Sequence, residues 1–292
     1  MICETAFAKI NLWLTVLGRR TDGYHDIDSL AVFTELGDRL TARPAPEWGL
    51  DITGPHAGQL GRLSDNLVLR AAIAFAERFG GDPMHFSLQK NLPVAAGLGG
   101  GSADAAAALR ILARHNRLSD SAGAAAALPE LLELAGSLGA DIPVCLGARC
   151  AHMTGTGVTT TMVTIGSGAV LLINPGIHLA TGEVFAGLGL QPGQRCAAGA
   201  APPSPPTPPD GWLERALQAG NDLQSPASAL VPEIGEIVRW ITATEHCQLA
   251  RMSGSGATCF GIYPSLGAAR AAQAQARKRF PHWWVAASKL RG

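Results

Sequence analysis

The stretch Met84-His85-Phe86-Ser87-Leu88-Gln89-Lys90-Asn91-Leu92-Pro93-Val94-Ala95-Ala96-Gly97-Leu98-Gly99-Gly100-Gly101-Ser102-Ala103 decides how this chain reads. Met84 to Lys90 alternates apolar and polar residues, the period of a strand with one buried face. Ala103 to Ala113 is a run of strong helix formers. Between them, four glycines fall in the five positions from Gly97 to Gly101. Strand, glycine-rich loop and helix start together make an anion site. The first amides of a helix have no internal partner, that end of the helix is positive, and glycine lets several N–H groups approach one phosphate. Ser102, at the junction, offers its hydroxyl as a helix cap or as a ligand for phosphate or metal. A tight structural turn with a glycine cap is the competing use of the same residues.

Better-known nucleotide motifs do not fit. A Walker A loop needs Gly-Lys, and the chain has no such pair. The dinucleotide fingerprint G-x-G-x-x-G fails in both registers, because Ser102 and Asp104 stand where the third glycine belongs. Protein-kinase signatures and the G-x-S-x-G nucleophile elbow are absent.

Composition bounds the rest. The 292 residues are 47% hydrophobic and 16% charged, which excludes disorder of the whole chain. Net charge is zero and the pI is near 7.1, so nucleic acid is not expected as a partner. The six cysteines contain no C-x-x-C pair and imply a reduced, cytoplasmic compartment. Cys145, Cys150 and His152 lack a second ligand pair, so ordinary buried cysteines are expected rather than a metal site. No signal peptide is expected from Met1-Ile2-Cys3-Glu4. The uncharged stretch 151–182 is broken by glycines and Pro175, so no membrane partner is expected.

Along the chain, Thr5 to Leu17 alternates as a strand with one buried face, which puts Lys9, Asn11 and Trp13 on one side. Further strands are expected at 28–41, 158–164, 169–173, 248–252, 257–263 and 283–287. Helices are expected at 66–79, 129–138, 181–188, 212–219, 232–244 and 266–280, the first capped from Ser64, Asp65 or Asn66. Pro192 to Asp210 holds seven prolines and reads as a mobile loop. Arg277-Lys278-Arg279 is read as favourable charge at a helix C-terminus. Strands and helices alternate without a strict βαβ rhythm, which gives an α+β class.

The loop resembles the phosphate loop of the GHMP kinase family, P-x-x-x-G-L-G-[GS]-[GS]-[SA], matched from Pro93 to Ser102. Two further family motifs flank it: Ala8-Lys9-Ile10-Asn11-Leu12 and Met252-Ser253-Gly254-Ser255-Gly256-Ala257. Arg20-Thr21-Asp22-Gly23-Tyr24-His25 and Gly139-Ala140-Asp141-Ile142-Pro143 are similar to those members that phosphorylate a cytidine diphosphate-linked methylerythritol. That resemblance implies ATP-dependent phosphorylation of the tertiary 2-hydroxyl, in the non-mevalonate route to isoprenoid precursors. It also implies a two-domain GHMP kinase fold with the active site between the domains. An N-terminal ribosomal protein S5 domain 2-like ATP-binding domain (1–152) is followed by a ferredoxin-like domain (153–292). The last strand, about 283–291, is expected to pack back on the first domain.

By the same resemblance, Asp141 is the catalytic base and Lys9 the catalytic lysine that keeps it ionised. Asn11 binds substrate, as does Thr181. Tyr24 stacks on the cytosine and His25 reads its edge. Phe185 is either a second aromatic wall or a core residue of its helix. ATP is held by Pro93, Val94, Ala95, Ala96, Gly97, Leu98, Gly99, Gly100, Gly101, Ser102 and Ala103, with Lys90 and Asn66 as further nucleotide contacts. Mg²⁺ travels with ATP, held by Ser102 and phosphates, since no dedicated protein metal site is visible. The chain is expected as a monomer or homodimer. Another GHMP kinase with a different alcohol, or a nucleotide-binding sensor without catalysis, are the alternatives.

Overall fold

The computed structural model of the chain describes residues 1–118, 128–196 and 211–291. Contacts divide it into two units, each gathered from separated stretches. The first takes Met1–Lys9, Leu36–Val94 and Gly99–Ala148, and the second takes Ile10–Glu35, Ala95–Leu98 and Arg149–Gly292. Two long strands, β1 (Ile2–Arg19) and β2 (His25–Pro44), contribute to both.

In the first unit, β3 (Gly49–Thr53) runs parallel to β4 (Met84–Gln89), which pairs antiparallel with the second half of β2 from Arg39↔Gln89 to Pro44↔Met84. Helix α1 (Leu67–Phe79) buries Val68, Ala71, Ala72 and Phe75, a three–four spacing, and packs on α2 (Gly100–His115). Helix α2 is buried at every residue from Ala103 to Ala113, and its many alanines let α1 and α4 (Ile142–Gly147) come close. Helix α3 (Pro129–Leu138) packs on α4. Asn66 is the cap of α1, its Oδ1 accepting from the Val68 amide at 2.9 Å.

In the second unit, the first half of β2 pairs with β10 (Trp284–Arg291), then β7 (Ala169–Asn174), β9 (Cys259–Tyr263) and β8 (Leu249–Met252), all antiparallel. On its other pairing, β2 meets β5 (Ala151–Gly155), and β5 meets β6 (Thr159–Met162). The helices are α5 (Thr181–Ala186), α6 (Trp212–Gln218), α7 (Gln224–Leu230), α8 (Glu233–Thr242) and α9 (Leu266–Arg279). Helix α8 packs on β8 and β9, and α9 on β7, β9 and β10. Ile234, Ile237 and Ile241 join Leu171, Ile173 and Tyr263 in one core.

The α+β class is observed, with several local differences from the sequence reading. Strand β1 is buried on both faces from Ala8 to Leu14, so its alternation marks two environments rather than core and solvent. Its second face carries Trp13, whose indole donates to Asp28 Oδ1 at 2.7 Å, while Asp28 Oδ2 holds His152 Nε2 at 2.7 Å. Strands β3 and β5 and helices α4 and α7 lack a sequence counterpart. The strands are five residues each, too short for a clear period. Helix α7 holds Pro226 in its first turn, where a missing N–H costs no helical bond. Helix α2 begins at Gly100, three residues ahead of the expected start, and Ser102 lies within its first turn rather than at the cap, which is Gly99. Arg277 to Arg279 do end a helix, where Arg277 donates to the Val285 carbonyl and Arg279 pairs with Glu236. Of the proline-rich stretch 192–210, residues 197–210 lie outside the described residues. No helix of the described residues is long and apolar enough to cross a membrane.

The cap on α1 supplies one measurable contribution. Asn66→Ala is expected to lower unfolding stability by about 1 kcal/mol in urea titration, the usual cost of losing an asparagine N-cap. No change in midpoint would show that the Val68 amide finds another acceptor.

Candidate functional site

The glycine loop leaves β4 at Lys90 and enters α2 at Gly100. Ala95, Gly97 and Gly99 have φ of +51°, +72° and +62°. Left-handed residues at alternate positions turn successive amides toward one side, the geometry of a backbone anion nest. The first intrahelical bond is Ala103 N–H to the Gly99 carbonyl at 2.8 Å. The amides of Gly100, Gly101 and Ser102 therefore stand ahead of the helical ladder at its positive end.

In the first unit, Lys9 and Asp141 meet. The Lys9 ammonium lies 3.0 Å from Asp141 Oδ2, with the lysine buried and 36% of the aspartate side chain exposed. Lys9 is also the neighbour of the loop: a Cβ on Gly99 would sit 3.1 Å from Lys9 Cε. Asp141 is the residue before α4, with its carbonyl accepting from Cys145 N and Pro143 in the first turn. Its carboxylate makes no cap bond to that helix and is turned to Lys9 instead.

Arg110, which sequence reasoning did not single out, ties these two residues' supports together. Its guanidinium donates to the carbonyls of Cys145 and Thr5, at 2.8 and 3.0 Å, and to Glu4 Oε2 at 2.9 Å. Arg114 also pairs with Glu4. Thus the strand carrying Lys9 and the helix following Asp141 share one buried cation. Cys145 beside them is no nucleophile, because burial foremost, and then the Asp141 charge, push its thiol up to about 12.

Lys90 is buried beneath the loop. Its ammonium lies 2.5 Å from Asp38 Oδ2 and 2.7 Å from Asp104 Oδ2, and Asp38 Oδ1 accepts the amides of Asn91 and Leu92 at 2.6 and 2.8 Å. Burial pulls the lysine down, but the Asp104 and Asp38 charges outweigh it and hold it above its ordinary value. For Asp104 burial dominates and raises its carboxyl to about 7, with Lys90 pulling down and Asp38 adding to the rise. Neither acid was singled out in the sequence, although Asp104 is the sole charge in an otherwise small, apolar run from Gly97 to Leu109. Asn66 stands at the start of α1, and a Cβ on Gly101 would touch Leu67 at 3.6 Å.

In the second unit, the C-terminal motif and the residue after it meet the middle of the loop. Ser253 Oγ donates to the Gly97 carbonyl at 2.7 Å, and Thr258 N donates to the Ala96 carbonyl at 3.2 Å. A Cβ on Gly97 would fall 2.4 Å from the Ser253 carbonyl, so only glycine allows this approach. Asn11 is buried; its amide nitrogen donates to Ser29 Oγ at 2.7 Å and its backbone N–H to Ser253 Oγ. Thr181 Oγ1 lies 2.9 Å from Ser255 Oγ.

Tyr24 is 65% exposed, at the end of a turn in which Arg20 N donates to its carbonyl. The His25 and Phe185 rings stack on each other, with centroids 4.6 Å apart and planes inclined by 29°. Phe185 is also partly buried against the core of this unit. Burial, and secondly the Arg19 charge, lower the His25 imidazole below its ordinary value. His152 is engaged by Asp28, and Cys150 Sγ donates to the Arg291 carbonyl. Among the described residues no group of three or more His, Cys, Asp or Glu could hold a metal ion.

Comparison with known proteins agrees with this arrangement. The family profile for the GHMP kinases N terminal domain matches residues 66–148, and that for the GHMP kinases C terminal matches residues 210–282. A 4-diphosphocytidyl-2-C-methyl-D-erythritol kinase of Rhodopseudomonas palustris (strain BisB18) is 44% identical over 294 residues, covering 98% of this chain and 94% of its own. One from Bradyrhizobium sp. (strain BTAi1) is 45% identical over 294 residues, covering 98% and 96%. The crystal structure of a 4-(cytidine 5'-diphospho)-2C-methyl-D-erythritol kinase superposes with a TM-score of 0.75 at 30% identity, over 100% of both chains. The chain is therefore a kinase with the GHMP fold, and it belongs to the GHMP kinases, in the branch formed by the 4-diphosphocytidyl-2-C-methyl-D-erythritol kinases.

Proposed function

We propose that the chain transfers the γ-phosphoryl group of ATP to the tertiary 2-hydroxyl of 4-diphosphocytidyl-2-C-methyl-D-erythritol. The product is the 2-phosphate, an intermediate of the non-mevalonate (methylerythritol phosphate) route to isoprenoid precursors. The observation that carries this reading is the Lys9–Asp141 ion pair at 3.0 Å, next to Gly99 of a loop built for an anion.

Phosphoryl transfer to an alcohol asks for positioning, charge neutralisation and somewhere for the hydroxyl proton to go. The amides from Gly97 to Ser102 hold the phosphates, with Pro93 to Ala96 and Ala103 shaping the cradle. Asp141, part exposed, takes the hydroxyl proton as the oxygen attacks the γ-phosphorus, and ADP leaves. Lys9, 3.0 Å from that carboxylate, offsets negative charge as the phosphoryl group moves. Asn66 remains a candidate contact for the nucleotide. Magnesium suits the donors here: an oxygen-seeking ion can take the Ser102 hydroxyl, phosphate oxygens and water, and it would neutralise phosphate charge.

The acceptor's cytosine is assigned to the second unit. Tyr24 and Phe185 supply apolar ring faces, and His25, kept neutral, offers one donor and one acceptor to the base edge. Asn11 and Thr181 complete the substrate contacts.

The direct test is an ADP-release assay with the cytidylated methylerythritol, homoserine and mevalonate. Turnover is expected with the first alone; equal or better turnover of another alcohol would overturn the assignment. Asp141→Asn should lower kcat at least ~10²-fold with ATP affinity near normal, the scale of losing a general base; unchanged kcat would remove Asp141 from the chemistry. Tyr24→Ala is expected to raise KM for the cytidylated substrate about tenfold, matching ~1–3 kcal/mol per stacked base, with KM for ATP within about twofold. Equal changes in both constants would refute the stacking role. Because His25 is depressed, it is neutral from its ordinary value of 6.5 upward and charges only below that. Acceptor KM should be flat from about pH 7 upward and climb under more acidic conditions as the proton is gained. His25→Gln should flatten that acid limb, and an acid limb unaltered by the substitution would exclude His25 as its source.

A further inference from the structure

Three charged side chains sit beneath the glycine loop without touching the reacting groups, and their bonds run to the loop's two flanks. Lys90 is the first residue after its strand, where the loop begins, and Asp104 is the fifth residue of the helix that follows. One ammonium joins them, at 2.7 Å to Asp104 and 2.5 Å to Asp38. The other oxygen of Asp38 takes the amides of Asn91 and Leu92, the two residues that lead into Pro93. Gly100 lies directly over the cluster, since a Cβ there would come 3.2 Å from the Lys90 ammonium. Strand end, approach to the loop and helix start are thus held at one point.

We infer that the buried Asp38–Lys90–Asp104 cluster is the positioning device of the phosphate loop, fixing its two ends so that its amides meet the triphosphate at set spacing. For the identity of that ligand the inference rests on the function proposed above. Stability alone does not account for the cluster. Desolvating three charges is costly, and apolar residues of similar volume would serve a core as well or better. What charges add is a directional geometry: both oxygens of Asp38 and one of Asp104 are engaged at hydrogen-bond distance, and displacing the ammonium would leave two buried carboxyl groups without their shared partner. A loop that must hold left-handed residues at 95, 97 and 99 needs such a constraint at its ends, because those conformations are disfavoured in a free chain. Lys90 therefore acts on the nucleotide through the backbone rather than by reaching it.

The test compares the full-length wild type with Lys90→Met and Asp104→Asn, using circular dichroism to establish the folded fraction. MgATP binding is read by calorimetry, and both KM values and kcat are read by ADP release. For folded Lys90→Met, the Kd and KM for ATP should rise at least about tenfold, with KM for the cytidylated alcohol within about twofold. A purely structural role would lower the melting temperature and leave both KM values of the folded protein unchanged. Asp104→Asn preserves shape and one ion pair, so it keeps the fold if Lys90→Met does not; its ATP Kd should rise about threefold. Unaltered ATP affinity in either folded variant overturns the inference. If the wild type binds ATP but phosphorylates none of the cytidylated alcohol, the acceptor assignment fails, and the cluster is still judged on the ATP Kd.

Discussion

A row of amides can face an anion only where the chain that carries them has no side chains in the way and is held in a shape it would not otherwise keep. Gly97 illustrates both halves of that constraint. Its φ is positive, and a methyl group on it would collide with the Ser253 carbonyl. Ser253 Oγ in turn holds the Gly97 carbonyl, so the closeness that glycine permits is used at once for a hydrogen bond. The rest of the loop follows from that economy of side chains: Gly99 leaves room for Lys9, and Gly100 leaves room over the Lys90 ammonium. The chemistry next to the loop is brought there by what the glycines omit.

Bringing a carboxylate and a cation to that point takes two elements distant in sequence. Lys9 comes from a strand and Asp141 from the start of a six-residue helix, neither of which could hold a 3.0 Å contact unaided. Arg110 supplies the bracing, reaching the strand through Glu4 and the Thr5 carbonyl and the short helix through the Cys145 carbonyl. The Lys9 ammonium is buried against the Asp141 carboxylate, which remains partly exposed. Fixing such a pair in advance lowers the reorganisation required when charge develops.

The second unit gathers a different kind of side chain. Tyr24, His25 and Phe185 are exposed or partly exposed rings, set beside the charged Arg19, Arg20 and Asp22. Ring faces accept any base, so discrimination falls to hydrogen bonds, and a neutral imidazole supplies both a donor and an acceptor. The Thr181–Ser255 bond links the helix that carries Phe185 to the same serine- and glycine-rich turn that braces the phosphate loop.

Much of this was legible in the amino acids themselves. Four glycines before a helix announce an anion loop, the alternation around Lys9 announces a strand, and three ordered motifs announce the family, because each depends on local backbone geometry or on residues close in sequence. Other features could not be read that way. The burial of β1 on both faces, the capture of Lys90 by Asp38 and Asp104, the Arg110 brace and the His25–Phe185 stack depend on residues from 14 to more than a hundred positions apart. Short strands such as β3 and β5 likewise owe their existence to their partners, since five residues carry too little pattern to declare themselves. Sequence determined which backbone can bend into a phosphate cradle, because that is a property of glycine. Tertiary structure decided which charges stand behind the cradle and which face a substrate, because burial and pairing distance exist only once the chain has folded.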